Sequence, residues 1–131
     1  MGAVHNAVYR ASGGKAGGSI KGMPVLLLTT TGRKTGRSRT TPLLYLREGA
    51  DIVVVGSNGG SDSAPAWWLN LRARPSARVE LGRHRINVTA RKATPEERDR
   101  LWSRFTAGYS GYATYAARTA RTIPVVILTP F

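Results

Sequence analysis

The chain contains no cysteine, which excludes disulfides, thiolate metal sites and cysteine nucleophiles and leaves a reducing compartment open to it. Any redox chemistry must therefore be borrowed from a bound cofactor. Histidine is scarce: His5 and His84 stand in unrelated places and no carboxylate cluster accompanies them, so each reads as a surface or packing residue and metal catalysis is not supported. No Gly-x-Ser-x-Gly elbow of a serine hydrolase occurs. Long apolar runs are missing too. The longest, Pro24 to Leu28, Ile52 to Val55 and Ile123 to Leu128, fall far short of the ~20 residues that span a bilayer, and the N-terminus lacks an apolar signal core. A cytoplasmic protein is expected.

Acids are few. Seven Asp and Glu face twenty Lys and Arg, leaving a net charge of +13 that points to an anionic partner: nucleic acid, an acidic membrane surface or an anionic small molecule. Charge alone does not choose among them. With 131 residues and 41% apolar composition, the chain is long enough for one domain with a real core and too short for two, so residues 1–131 are expected to form a single domain.

The positive charge is densest at Thr29-Thr-Thr-Gly-Arg-Lys-Thr-Gly-Arg-Ser-Arg-Thr-Thr-Pro42, where Arg33, Lys34, Arg37 and Arg39 crowd one bend with no acid among them. Like charges at that density repel, so the bend is either a solvated hairpin tip or the seat of an anion, with backbone N–H groups around Gly32 and Gly36 free to help. A phosphate or a polycarboxylate fits such a seat. The Gly-Arg-Lys-Thr at 32–35 is not a Walker loop, because it lacks the preceding spacing and joins two strands instead of opening a helix.

Pro24 to Thr31 and Thr40 to Arg47, rich in Leu, Val, Thr and Tyr, read as strands flanking the bend, and Asp51 to Ser57 as a third strand after a turn at Gly49-Ala50. So short a turn predicts an antiparallel meander and argues against a Rossmann fold. The third strand runs into Gly56-Ser57-Asn58-Gly59-Gly60, a loop that is either an ordinary strand-to-helix turn or a place of close backbone approach to a ligand. Pro65 fits the first turn of a helix over Ala64 to Arg74, capped by Asp62 or Ser63 and ended by Pro75. Its adjacent indoles, Trp67 and Trp68, cannot point the same way, so one is expected in the core and the other partly free to wall a planar ring.

Ala77 to Leu81 and Arg85 to Lys92 predict a further hairpin turning at Gly82-Arg83-His84. Thr94-Pro95-Glu96-Glu97 is a capping box, and Leu101, Trp102 and Phe105 form the buried stripe of the helix it opens. A second helical stretch reaches to about Ala120, and Ile123 to Leu128 closes the chain as a strand. Tyr109, Tyr112 and Tyr115 recur every three residues around the break between the helices, so their hydroxyls fan across one side, either into water or toward a polar acceptor. At the other end, Val4, Ala7, Val8 and Ala11 predict a short amphipathic helix on a glycine-rich tether up to residue 22, which either closes one end of a barrel or touches an anionic membrane. The expected order is β-β-β-α-β-β-α-α-β, an α+β fold whose mainly antiparallel sheet of about six strands closes to avoid exposed edges.

A basic loop, a glycine-rich loop, an indole pair and a tyrosine series together suit an elongated ligand with an anionic tail and a planar head. Two or three charge-assisted hydrogen bonds at roughly 1.5 to 3 kcal/mol each would hold such a tail at micromolar strength or better. The motifs Thr29 to Leu43, Gly56-Ser-Asn-Gly-Gly60, Pro65-Ala-Trp-Trp-Leu-Asn-Leu71 and Arg121-Thr-Ile-Pro-Val-Val-Ile-Leu128, in this order and over nearly the whole chain, resemble the deazaflavin-dependent nitroreductase family of actinobacteria.

The resemblance implies a split β-barrel related to flavin reductases and an F420H2-dependent oxidoreductase that passes a hydride to a quinone, a nitro compound or another activated conjugated acceptor. Its cofactor would be coenzyme F420, an 8-hydroxy-5-deazaflavin with a phosphate and an oligoglutamate tail, with FMN the second choice. Arg33, Lys34, Arg37 and Arg39 match tail-binding positions; Thr41, Pro42, Leu43 and Leu44 would follow the ring through their backbone. Gly56, Ser57, Asn58, Gly59 and Gly60 would approach the phosphate and ring end, with Ala66 and Trp67 lining the same channel. Tyr109, Tyr112 and Tyr115 match substrate-side tyrosines that orient the acceptor. Implied partners are F420 and a small electron acceptor, with peripheral membrane contact and a monomer or weak dimer. A basic nucleic-acid-binding barrel and a non-catalytic F420 carrier are the competing readings, the former lacking a recognition helix or ribonucleoprotein motif.

Overall fold

A computed structural model describes residues 19–20, 23–57, 63–108, 114, 116–117 and 122–131. Strands β1 (Ser19–Ile20), β2 (Met23–Thr31), β3 (Ser38–Leu44), β4 (Leu46–Glu48) and β5 (Asp51–Val55) lead to helix α1 (Ala66–Ala73). Strands β6 (Ser76–Leu81) and β7 (His84–Lys92), helix α2 (Pro95–Gly108) and strand β8 (Val125–Pro130) follow. The expected N-terminal helix and the rest of its tether lie outside the described residues. Of the second helical stretch expected after Gly111, residues 114, 116 and 117 are described and are helical.

The sheet runs β1-β2-β6-β7-β8-β5-β4, and β3 pairs with the other edge of β2. Every pairing is antiparallel. The stretch expected as one strand, Thr40 to Arg47, is two: the chain breaks the pattern at Tyr45, so β3 pairs with β2 and β4 with β5. This bend curls the sheet into a barrel. Counted once, the bent strand gives six main strands, with β1 as an additional short one. Along β3 itself the wall is split: β3 runs close to β5 without pairing with it.

Two apolar clusters hold the fold. Alternate residues of β2, β5, β6, β7 and β8, among them Leu26, Leu28, Ile52, Val54, Val79, Val88, Val126 and Leu128, fill the interior together with Trp67 and Leu71 of α1. The opposite faces of β5 and β8, with Val53, Val55, Val125 and Ile127, pack under Leu101 and Phe105 of α2. Residues facing either way from β5 and β8 are therefore buried, which is why Ile52–Val55 and Val125–Leu128 read as unbroken apolar runs instead of alternating ones.

Helix α2 starts as its capping box requires: Thr94 N–H donates to Glu97 Oε1 at 3.0 Å and Glu97 N–H donates to Thr94 Oγ1 at 3.3 Å. Arg91 of β7 closes the same carboxylate in a bidentate pair, at 2.8 and 2.9 Å. That hydrogen bond, then the backbone of Thr94, holds the Glu97 carboxyl down to a pKa of about 2, and Arg91 is raised in turn. Helix α1 departs from expectation at its start. Pro65 occupies the N-cap position with extended backbone, the helix begins at Ala66, and no side chain caps it. The β6–β7 turn is shorter than expected: it is Gly82-Arg83, with Gly82 at φ 61° and His84 already in the strand.

Candidate functional site

The four cations of the bend lie together and exposed at the β2–β3 connection. Register makes the bend tight: β2 and β3 pair from Val25↔Leu44 to Thr31↔Ser38, so only residues 32–37 turn the chain. Inside it, Gly36 N–H donates to Gly32 O at 2.8 Å and Gly32 N–H donates to Arg37 O at 2.7 Å. Gly36 adopts φ 72°, a left-handed conformation that side-chain-bearing residues avoid. Arg33, Lys34 and Arg37 sit on the turn, and Arg39 lies opposite Thr30, one pair in from the Thr31↔Ser38 pair that closes the turn.

Among the described residues, no carboxylate pairs with these cations. Among the described acids, Glu48 and Asp51 flank the β4–β5 turn and Glu96, Glu97 and Asp99 lie in α2; only Glu80 is elsewhere, in β6. They serve Arg91, Arg100 and Arg104, which pair with Glu97 or Glu48, and Arg85, which approaches Glu80. None of the described acids pairs with a cation of the hairpin, and an anion at the turn would meet no carboxylate of its own element.

The hairpin is also anchored, through a residue that sequence reading did not single out. Asn70 of α1 is 3% exposed, and its Oδ1 accepts from the Arg33 backbone N–H at 3.1 Å and from Arg33 Nη1 at 3.2 Å. Its Nδ2 donates to Thr30 Oγ1 at 3.1 Å. The signal was present in the sequence as a polar residue three positions after Trp67, on the buried face of a short apolar helix. Its partners were not, because Thr30 and Arg33 lie some forty residues upstream.

Strand β3 leads from the hairpin along the split in the barrel wall. Tyr45 N–H donates to Pro24 O at 3.1 Å, and with the Gly32–Arg37 bond this brackets the β2–β3 ladder at odd-numbered positions of its second strand. Arg39, Thr41 and Leu43 accordingly turn their main-chain groups toward β2, while Thr40, Pro42 and Leu44 turn theirs toward the edge that no described strand pairs with. Proline is tolerated there because its missing N–H faces away from the ladder. Of the ring-following set Thr41, Pro42, Leu43 and Leu44, all half-buried, it is thus Pro42 and Leu44 whose backbone faces the split. Side chains divide the same strand between the clusters: Leu43 packs on the interior and Leu44 on the α2 side.

Gly56 and Ser57 are buried at the end of β5. Gly56 N–H donates to Pro124 O at 2.9 Å, and a Cβ on Gly56 would stand 2.9 Å from Pro124 Cγ and 3.5 Å from Pro65 Cγ, so the residue is glycine because two prolines close on it. This packing brings the start of α1 to the end of β5. In α1, Ala66 is exposed, Trp67 is 5% exposed within the interior cluster, and Trp68 is half-buried. Trp67 is therefore the core indole and Trp68 the one with a free side. Asn58, Gly59 and Gly60, and with them Tyr109, Tyr112 and Tyr115, lie outside the described residues. No group of His, Asp or Glu able to hold a metal occurs among the described residues, and no helix among them is long and apolar enough to cross a membrane.

The pattern of the F420H(2)-dependent quinone reductase family matches residues 3–130. An F420H(2)-dependent quinone reductase of Mycobacterium tuberculosis is 42% identical over an alignment 137 positions long, gaps included, that covers 96% of this chain and 87% of the relative. A solved F420-H2 dependent reductase, FDR-A, superposes with a TM-score of 0.73 at 38% identity, over 80% of this chain and 93% of that one. Another solved structure, described as a domain-swapped dimer, gives a TM-score of 0.75 at 34% identity over 95% and 96% of the two chains. With the split barrel, the acid-free hairpin and the open strand edge in one molecule, the chain belongs to the F420H(2)-dependent quinone reductase family.

Proposed function

We propose that this chain binds reduced coenzyme F420 along the open edge of β3 and reduces a quinone with it. The observation that carries the reading is the junction, among the described residues, of a cationic hairpin that no acid pairs with and a strand edge that no strand pairs with, the second leading directly away from the first. A ligand with an acidic tail and a flat, hydrogen-bonding head needs both features, in that order. Family membership gives the reaction type and the cofactor; the assignment of residues is our own.

Arg33, Lys34, Arg37 and Arg39 would hold the phosphate and glutamates as charge-assisted partners. The main-chain groups of Pro42 and Leu44 would face the polar rim of the ring, with Gly56, Ser57, Asn58, Gly59 and Gly60 at its phosphate-proximal end. Trp68, more than Trp67, has a free side to offer the ring, with Ala66 at the helix start. When bound, reduced F420 supplies a hydride from C5 of its deazaflavin. The chain contributes position: a barrel wall that holds donor and acceptor at near-attack distance and keeps water from the ring face. Quinone reduction also consumes a proton, and the hydroxyls of Tyr109, Tyr112 and Tyr115 are the groups proposed to orient the quinone oxygen and deliver it. Nitro and other conjugated acceptors are proposed as further substrates. Lipid-soluble quinones fit a cytoplasmic enzyme that touches an anionic membrane peripherally, as a monomer or a weak dimer.

Purified protein titrated with F420 and with duplex DNA at two salt concentrations tests the reading, followed by oxidation of F420H2 with a quinone panel. Tight F420 binding, DNA binding that fades steeply with salt, and quinone-dependent return of the oxidised chromophore are expected. Absence of F420 binding at tens of micromolar would sink it.

A further inference from the structure

We infer that Asn70 is a positioning residue for the anion seat: its buried carboxamide fixes both the backbone and the guanidinium of Arg33, and so sets the seat at a constant place relative to α1. The inference rests on the proposed binding of the cofactor tail at this hairpin. Asn70 itself would touch no ligand.

The argument begins with cost. A carboxamide in the middle of a short helix weakens the helix, and one that is 3% exposed must find partners or lose the hydration it gave up. Leucine would fill the same space without that demand. Asn70 instead uses both lone pairs of Oδ1 on a single residue, accepting from the backbone N–H of Arg33 at 3.1 Å and from its Nη1 at 3.2 Å. Its Nδ2 donates to Thr30 Oγ1, and Thr30, 2% exposed, is the last buried residue of β2 before the bend. The carboxamide is therefore stapled to β2 on one side and holds Arg33 on the other.

Arginine normally enters a complex with all its rotamers to lose. Held at its backbone and at one Nη, Arg33 has already lost most of them, while Nε and Nη2 keep N–H groups for an anionic oxygen. Freezing one such side chain ahead of binding is worth roughly a three- to tenfold gain in affinity. Among the described residues no buried side chain holds Lys34, Arg37 or Arg39 in this way, and all three stay exposed.

The same helix face connects this latch to the other end of the site. Trp67, Asn70 and Leu71 are the buried residues of α1, so the packing that sinks Trp67 and Leu71 into the barrel interior also presents Asn70 to the hairpin. One helix thereby sets the spacing between the indole wall and the cation that receives the tail. The consequence is selectivity for ligands whose negative charge stands at one distance from a planar head.

The test is a double-mutant cycle read with two probes, intact F420 and the ribityl 8-hydroxy-5-deazaflavin that lacks phosphate and glutamates. Asn70→Leu should weaken F420 three- to tenfold and leave the tail-less probe within twofold. In the Arg33→Ala background the same change should cost less than twofold, because the residue through which Asn70 acts is gone. Thr30→Val, which removes only the Nδ2 partner, should produce a smaller loss with the same dependence on the tail. Without any ligand, amide hydrogen exchange at Arg33 should accelerate at least tenfold in Asn70→Leu, which a general loosening of α1 would not confine to that residue. Equal weakening of both probes, full additivity with Arg33→Ala, or unchanged Arg33 exchange overturns the inference. Should the unsubstituted protein bind neither probe, the cofactor reading fails, and unchanged exchange at Arg33 would then still refute the latch.

Discussion

Removing single cations from the hairpin should have unequal effects, and the structure says in which order. Lys34 and Arg39 are exposed, so a pair between either and a carboxylate stays in high dielectric, where such pairs contribute about 0.2 to 1 kcal/mol. Lys34→Ala and Arg39→Ala should each raise the F420 dissociation constant by up to about fivefold. Arg33 differs, because its guanidinium is held on Asn70 before the ligand arrives. Its charge-assisted hydrogen bond should approach ~1.5 kcal/mol, and Arg33→Ala should cost about tenfold. Fluorescence titration with F420 at low salt and at 1 M provides the check, since the Debye length falls to ~3 Å at 1 M and the exposed contacts are screened. The penalties of Lys34→Ala and Arg39→Ala should nearly vanish at high salt, and that of Arg33→Ala should persist in part. Three equal penalties, or penalties indifferent to salt, would refute the reasoning.

Phe105 and Leu101 are the fully buried residues by which α2 packs on β5 and β8, so Phe105→Ala should destabilise the fold by about 3 to 5 kcal/mol. Thermal melts should show a large drop while F420 affinity of the folded fraction holds; loss of affinity at unchanged melting temperature would contradict this. Glu97 is depressed from an ordinary 4.5 to about 2, so its clasp with Arg91 and Thr94 contributes fully above the ordinary value and is lost as pH falls toward 2. The melting-temperature gap between the unsubstituted protein and Glu97→Gln should therefore be constant from pH 7 to about 5 and shrink below, and a gap independent of pH would argue against the clasp. Tyr112→Phe should lower turnover with quinone more than it weakens F420, and equal losses of both would reassign the hydroxyl to cofactor binding or packing.

Much of this molecule was legible in its sequence wherever the physics is local. Thr94 and Glu97 are three residues apart and cap one another by hydrogen bonds that a few residues can form unaided. Gly49 and Gly82 adopt positive φ at turns where the pattern of flanking strands required a reversal. The acid-free bend at 32–37 and the absence of thiols likewise needed no coordinates. Pro65 is the local feature that misled: its ring suits the first turn of a helix, yet the close packing of Gly56 against Pro65 and Pro124 accompanies an extended Pro65 one residue before it.

What depended on folding is everything that joins distant segments. That β2 lies between β3 and β6, that the wall is split beside β3, and that Pro42 and Leu44 face the split follow from strand register, which alternation alone does not assign to a partner. Which of two neighbouring indoles is sunk in the interior depends on how α1 rolls onto the sheet. Asn70 is the sharpest case, since a lone asparagine between two leucines acquires meaning only when Thr30 and Arg33 arrive beside it. Composition and short-range pattern announce which chemistry a chain can hold; long-range pairing decides where its few unpaired edges and buried polar contacts fall, because those are what remains after every other backbone group has found a neighbour.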